Sequence, residues 1–144
     1  MSNAEKELLI WQSGSIRFGL ELHQCREVVR NIKVSGLPHA PAYIAGLVNL
    51  RGNVVTVIDL QVLLGHNCEA SFNPDGAIVR VRKEGAQIAF AADQVHDALS
   101  VMDDAIEPAP ANLSDLESRY VKSVLNYQGA LILILNIDAL NFET

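Results

Sequence analysis

The sequence predicts an all-β protein built from small barrels. Three observations carry that expectation: the second half is a diverged copy of the first, strand-like runs are short and regularly spaced, and every helical stretch is a stub. The run Tyr43-Ile-Ala-Gly-Leu-Val-Asn-Leu-Arg-Gly-Asn-Val-Val-Thr-Val-Ile-Asp-Leu60 recurs, shifted by 77 positions, as Tyr120-Val-Lys-Ser-Val-Leu-Asn-Tyr-Gln-Gly-Ala-Leu-Ile-Leu-Ile-Leu-Asn-Ile137. Upstream, Phe18-Gly-Leu-Glu-Leu-His-Gln-Cys-Arg-Glu-Val-Val29 matches Ile88-Ala-Phe-Ala-Ala-Asp-Gln-Val-His-Asp-Ala-Leu99 at a shift of 70. The copies therefore differ by about seven residues of connecting loop, close to the usual length of a surface connection. Function is expected where the copies differ, and Arg51 becomes Gln128 while Gly52 and Gly129 stay in register.

Leu8 to Gln12 and Ile16 to Leu22 flank the tight Ser13-Gly-Ser15, and Ile16, Phe18, Leu20 and Leu22 alternate with Arg17 and Glu21, which reads as a hairpin with one buried face. Gln24 to Arg30 reads as a short helical turn that then extends. Leu37-Pro-His-Ala-Pro41 is too proline-rich for a regular element, and Ala42 to Ala45 reads as a single helical turn. Leu47 to Leu50, the Arg51-Gly-Asn53 turn and Val54 to Leu60 make a second hairpin, whose β-branched run favours strand. Gln61 to Leu64 is a helical stub stopped by Gly65.

Residues 66 to 76 are polar and turn-forming, the natural seam between a first copy at about 7–65 and a second at about 77–142. Ala77 to Arg82 and Ala86 to Ala92 form a hairpin around Lys83-Glu-Gly85, and Val95 to Met102 follows. Glu107-Pro-Ala-Pro-Ala111 interrupts the chain, Asn112 or Ser114 caps a short helix through Tyr120, and Val121 to Asn126 with Ala130 to Ile137 repeat the last hairpin.

At 144 residues the chain has the size of one ordinary domain, and two units of about 70 residues are each too small for a generous core, so they should share one. Hydrophobic residues are 49% and charged residues 19%, a compact globular balance. A net charge of -6 with 11 basic residues argues against nucleic acid as a partner. The longest apolar run, Ala130 to Leu135, is far too short to insert in a membrane as a helix. The N-terminus lacks a signal-peptide pattern, and Ser2-Asn3-Ala4 reads as a remnant of expression. Cys25 and Cys68 form no CxxC pair, which suits a reducing cytosol.

No catalytic constellation emerges, so no enzymatic activity and no cofactor are expected. His23, His39, His66 and His96 never reach zinc-site spacing, and neither a GxSxG elbow nor a phosphate loop is present. Asp103-Asp104 reads as a solvated turn, and Asp59 as a cap for the following stub in preference to a buried carboxylate. Tyr43 and Tyr120 occupy equivalent positions, which favours packing. Arg51 keeps two readings, a guanidinium that binds a partner carboxylate or carbonyl and an ordinary solvated turn arginine. Cys25 is either a small apolar filler or a contact in a binding groove, with filler favoured.

The run Leu37-Pro-His-Ala-Pro-Ala-Tyr-Ile-Ala-Gly-Leu-Val-Asn-Leu-Arg-Gly-Asn-Val-Val-Thr-Val-Ile-Asp-Leu60 resembles the signature of the CheW family, coupling proteins of bacterial chemosensory arrays. Cys25-Arg-Glu27-Val28 is similar to the family's V-x-E-[IV] element, and the likeness spans roughly residues 7 to 142. Thr56 stands where a proline is usual, and Cys25 where an aliphatic residue is usual. The resemblance implies two intertwined, SH3-like, five-stranded β-barrels with short helices. It also implies a non-enzymatic, cytoplasmic adaptor at membrane-associated arrays. Its partners would be the cytoplasmic tips of methyl-accepting chemoreceptors and the regulatory domain of the histidine kinase CheA. The implied receptor groove is lined by Leu9, Leu22, Cys25, Val28 and Val95, with Glu27 at its rim and Arg51 on the receptor-facing hairpin; the kinase-binding residues are not assigned. The competing expectations are a paralogue serving pilus motility or second-messenger control, and a small-molecule sensor using the inter-barrel groove.

Overall fold

The computed structural model describes residues 4–140. Ser2 and Asn3 of the suggested expression remnant, and residues 141 and 142 of the family-like span, lie outside the described residues. The alternating first segment forms the hairpin β1 (Glu5–Ser13) and β2 (Ile16–Glu21), followed by β3 (Cys25–Arg30). The helical turn expected within 24–30 falls earlier, as a single 3-10 turn over Leu22–Gln24. β4 (Ile44–Leu50), β5 (Asn53–Ile58) and α1 (Leu60–Leu63) complete the first half.

The second half comprises β6 (Ala77–Val81), β7 (Ile88–Ala92), β8 (Gln94–Val95), β9 (Leu99–Met102), β10 (Glu107–Pro108), α2 (Asp115–Tyr120), β11 (Val121–Tyr127) and β12 (Ala130–Leu135). The expected segment from Val95 to Met102 is interrupted over residues 96–98, so that β8 and β9 pair separately with β1. A 3-10 turn over Ile137–Ala139 replaces the end of the expected last strand.

These strands build two sheets. One has the order β10-β11-β12-β2-β1-β8, with β9 also on β1; the other runs β3-β6-β7-β5-β4. The first contains five longer strands, with the two-residue β8 and β10 added. The hairpin that begins each half sits in the sheet that the other half completes. It is locked there by parallel pairing, β2 with β12 and β5 with β7. This exchange is the intertwining of two barrels, and the fold is all-β.

The strand periodicity explains three apolar clusters. Leu8, Ile10, Leu125, Ile132 and Ile134 fill one barrel, and Val48, Leu50, Val55, Val57, Ile78, Ala89 and Ala91 fill the other. The alternate residues of the same strands, among them Leu9, Trp11, Phe18, Val79, Phe90 and Leu133, form the core that both barrels share. At its centre the fully buried Trp11 stacks on Phe18 and Phe90, with ring centroids 6.1 and 5.8 Å apart.

The repeat is copied in backbone detail. Arg51 (φ 52°) with Gly52 (φ 86°), and Gln128 (φ 50°) with Gly129 (φ 79°), make matching two-residue turns that need positive φ at both positions. Asp59 N–H donates to Tyr43 O, and Asn136 N–H to Tyr120 O, each at 2.8 Å. The first of these bonds also corrects the helical turn expected over 42–45. With the Tyr43 carbonyl committed to Asp59, Ala42 and Tyr43 make a plain turn and the chain enters β4 at Ile44. Asp59 caps α1 by accepting from Gln61 N–H at 2.9 Å, as its position suggested, and it is at the same time the buried carboxylate of the second reading, 4% exposed. Of the two candidate caps for α2, Ser114 serves, in a reciprocal capping box with Glu117.

Because Trp11 joins both sheets, Trp11→Ala should destabilise the protein by about 3–5 kcal/mol, read as a lower denaturation midpoint in urea.

Candidate functional site

Two strands and a hairpin turn meet at one carboxylate. Glu27 lies on β3 opposite Arg80 of β6 in the strand register, so their side chains share a face. Arg80 Nη1 donates to Glu27 Oε2 at 2.9 Å, and Arg80 Nη2 donates to Gln87 Oε1 at 2.6 Å. Arg51, at the tip of the β4–β5 hairpin, donates from Nη2 to the same Glu27 oxygen. The two guanidinium groups are in different surroundings: the Arg80 side chain is 1% exposed and the Arg51 side chain 68%. Arg80 is therefore a structural counter-charge, and Arg51 presents its remaining donors to solvent while Glu27 fixes its direction.

Burial pushes the Glu27 carboxyl upward, but hydrogen bonds and charge from Arg51 and Arg80 outweigh that effect and hold it below the usual carboxylate range. Glu27 is thus an anion at neutral pH, and the cluster carries a net positive charge in an otherwise acidic chain.

A half-buried apolar margin borders the shared core, and Val28, opposite the core residue Val79 in the β3–β6 register, faces away from the Glu27–Arg80 pair. Leu22, Cys25, Val28 and Val95 are half-buried and pack on that core from β3, β8 and the turn between β2 and β3. Leu9, expected to line the same groove, is 7% exposed and belongs to the core itself, so it lies behind the margin. Cys25 packs on the shared core, as the filler reading expects, while part of its surface stays exposed; burial pushes its thiol up, which disfavours the reactive thiolate.

Arg80 and Gln87 were missed in the sequence, although the signal was present. In Ala77-Ile-Val-Arg-Val81 a single charge interrupts an apolar strand whose residues are all buried, a placement that demands a partner. The other candidates fall elsewhere. His66 sits 3.2 Å from Glu117, Asp103 opens an exposed 3-10 turn near Lys6, and no metal-binding cluster of His, Cys, Asp and Glu occurs among the described residues. Tyr43 packs on the shared core and Tyr120 is buried in it.

Removing Glu27 leaves a buried guanidinium without its counter-charge, so Glu27→Gln should cost about 3 kcal/mol. Arg51→Asn should cost no more than about 1 kcal/mol, because that arginine is solvated and Asn-Gly suits the turn. A carboxyl held below its unfolded value, about 4.3 for Glu, stabilises the fold above that pH and ceases to do so as pH falls through the folded value. Thermal unfolding measured from neutral pH downward should therefore show stability declining below about pH 4. The decline should be shallower in Glu27→Gln.

The match to known proteins agrees with this geometry. The family model described as the CheW-like domain matches residues 7–142. The chain is 30% identical to the probable chemotaxis protein CheW of Rhizobium etli, over 100% of this chain and 92% of that protein. It is also 30% identical to chemotaxis protein CheW of Rhizobium meliloti, over 96% and 89%. Among solved structures, the scaffolding protein TtCheW from Thermoanaerobacter tengcongensis superposes with a TM-score of 0.80 at 25% identity, covering 93% of this chain and 90% of that one. With its two strand-exchanged barrels and a match that runs along nearly its whole length, the chain belongs to the CheW-like family of chemotaxis scaffold proteins.

Proposed function

We propose that this protein is a non-enzymatic adaptor that couples chemoreceptor tips to the regulatory domain of the histidine kinase CheA, working in the cytoplasm at chemoreceptor arrays. The observation that carries the reading is the exposed Arg51 guanidinium, whose direction Glu27 fixes; Val28, the next residue on β3, belongs to the half-buried margin with Leu22, Cys25 and Val95. A helical receptor tip offers complementary chemistry. Its apolar face covers the margin and gives affinity, while a carboxylate or carbonyl on it takes the free donors of Arg51 and sets register. Leu9 supports this surface from behind. No helix among the described residues is long and apolar enough to cross a membrane, so the reading places membrane attachment with the receptors.

The test is calorimetric titration of the protein, and of Arg51→Asn, against a receptor signalling tip and a CheA regulatory domain from the same organism. The variant should bind the receptor tip about tenfold more weakly, the scale of one charge-assisted hydrogen bond, and bind the kinase domain unchanged. Binding to neither partner, or an unaltered receptor titration in the variant, would sink the proposal.

A further inference from the structure

The charged cluster has a counterpart on the other barrel, and there the residues have changed. In the register of the repeat, Asp97 corresponds to Glu27, Gln128 to Arg51, Arg17 to Gln87 and Ile10 to Arg80. The strand pairings support the correspondence: Ile10 lies opposite Gly19 as Arg80 lies opposite Ala89, and Leu133 opposite Phe18 as Thr56 lies opposite Ile88. Where the Arg80 side chain fills the first site, the shorter Ile10 leaves a hollow of about 380 Å³.

One cationic group at this hollow lacks a partner. Among the described residues the half-buried Arg17 makes no side-chain hydrogen bond or ion pair. Arg17 stands on the wall shared with a neighbouring, more apolar hollow. Tyr127 and Gln128 add a hydroxyl and an amide at the rim, joined to each other only by a long contact of 3.4 Å. Ile10, Leu99 and Ile132 supply an apolar wall. The exposed Asp97 also lines the rim and makes no ion pair among the described residues.

We propose that this hollow is a second recognition site, which receives a carboxylate carried on a short apolar stem. The carboxylate accepts from the Arg17 guanidinium, and the stem lies against Ile10, Leu99 and Ile132. Such a group is borne equally by a free aliphatic acid and by a glutamate side chain of a partner protein. Asp97 opposes the ligand from the solvated rim, where screening weakens it. The site lies on the opposite barrel from Arg51 and does not depend on the receptor reading.

Amide chemical shifts of the isotope-labelled full chain test the proposal, with hexanoate, an end-blocked alanine peptide carrying one central glutamate, and hexylammonium as probes. At least one carboxylate probe should give saturable shifts at residues 96–99, 127 and 128, with a dissociation constant on the order of 1 mM. Arg17→Gln should weaken it about tenfold, and Asp97→Asn should tighten it. Tighter binding of the peptide assigns the carboxylate to a partner side chain, and tighter binding of hexanoate to a free acid. The proposal is overturned if neither carboxylate saturates, if hexylammonium shifts the same amides as strongly, or if Arg17→Gln, with its spectrum otherwise native, binds as the parent does.

Discussion

Parallel pairing of β2 with β12 and of β5 with β7 is the constraint on which the rest of the molecule depends. Without those two ladders each half would hold an open set of strands with unpaired edges, and neither barrel would close. The exchange also dictates where the core must be. Because β1, β2, β6 and β7 each present one face to a barrel interior and the other to the opposite barrel, their alternate residues meet in a common layer around Trp11, Phe18 and Phe90. Two units too small to sustain themselves thus become one body through a shared interior.

Much of this architecture could be read from the chain. The repeat located both hairpins and their positive-φ turns, because Arg51-Gly52 and Gln128-Gly129 are the kind of local signal that needs no tertiary context. Asp59 was readable as a cap for the same reason. The break between β8 and β9, and the plain turn at Ala42 and Tyr43, were not readable. Both depend on which distant backbone group takes a hydrogen bond, as when His96 N–H donates to Ile10 O and Asp59 N–H to Tyr43 O.

The candidate site divides along the same line. Arg51 stood out because its copy lacks the charge, and Glu27 through the family-like motif around it. Arg80 marked its strand as one that needs a partner for a single charge, but which partner it takes follows only from the register of β3 on β6. Leu9 shows the converse difficulty. Alternation places it on the inward face, but whether that face ends in a groove or a sealed core is settled by the opposite sheet, and there it is sealed. Duplication followed by unequal change has left one barrel end with a filled cluster of two arginines on one carboxylate and the other with a hollow between an isoleucine and an arginine.

The strand exchange also bears on how the protein emerges from synthesis. The β1–β2 hairpin leaves the ribosome well before its parallel partner β12, with Arg17 set against Ile132. The nascent hairpin must therefore wait, one edge unsatisfied, until β12 has been made. Contacts so distant in sequence place the chain among slow folders, with times on the order of milliseconds to seconds. Its period of greatest vulnerability to aggregation falls before the last strand arrives.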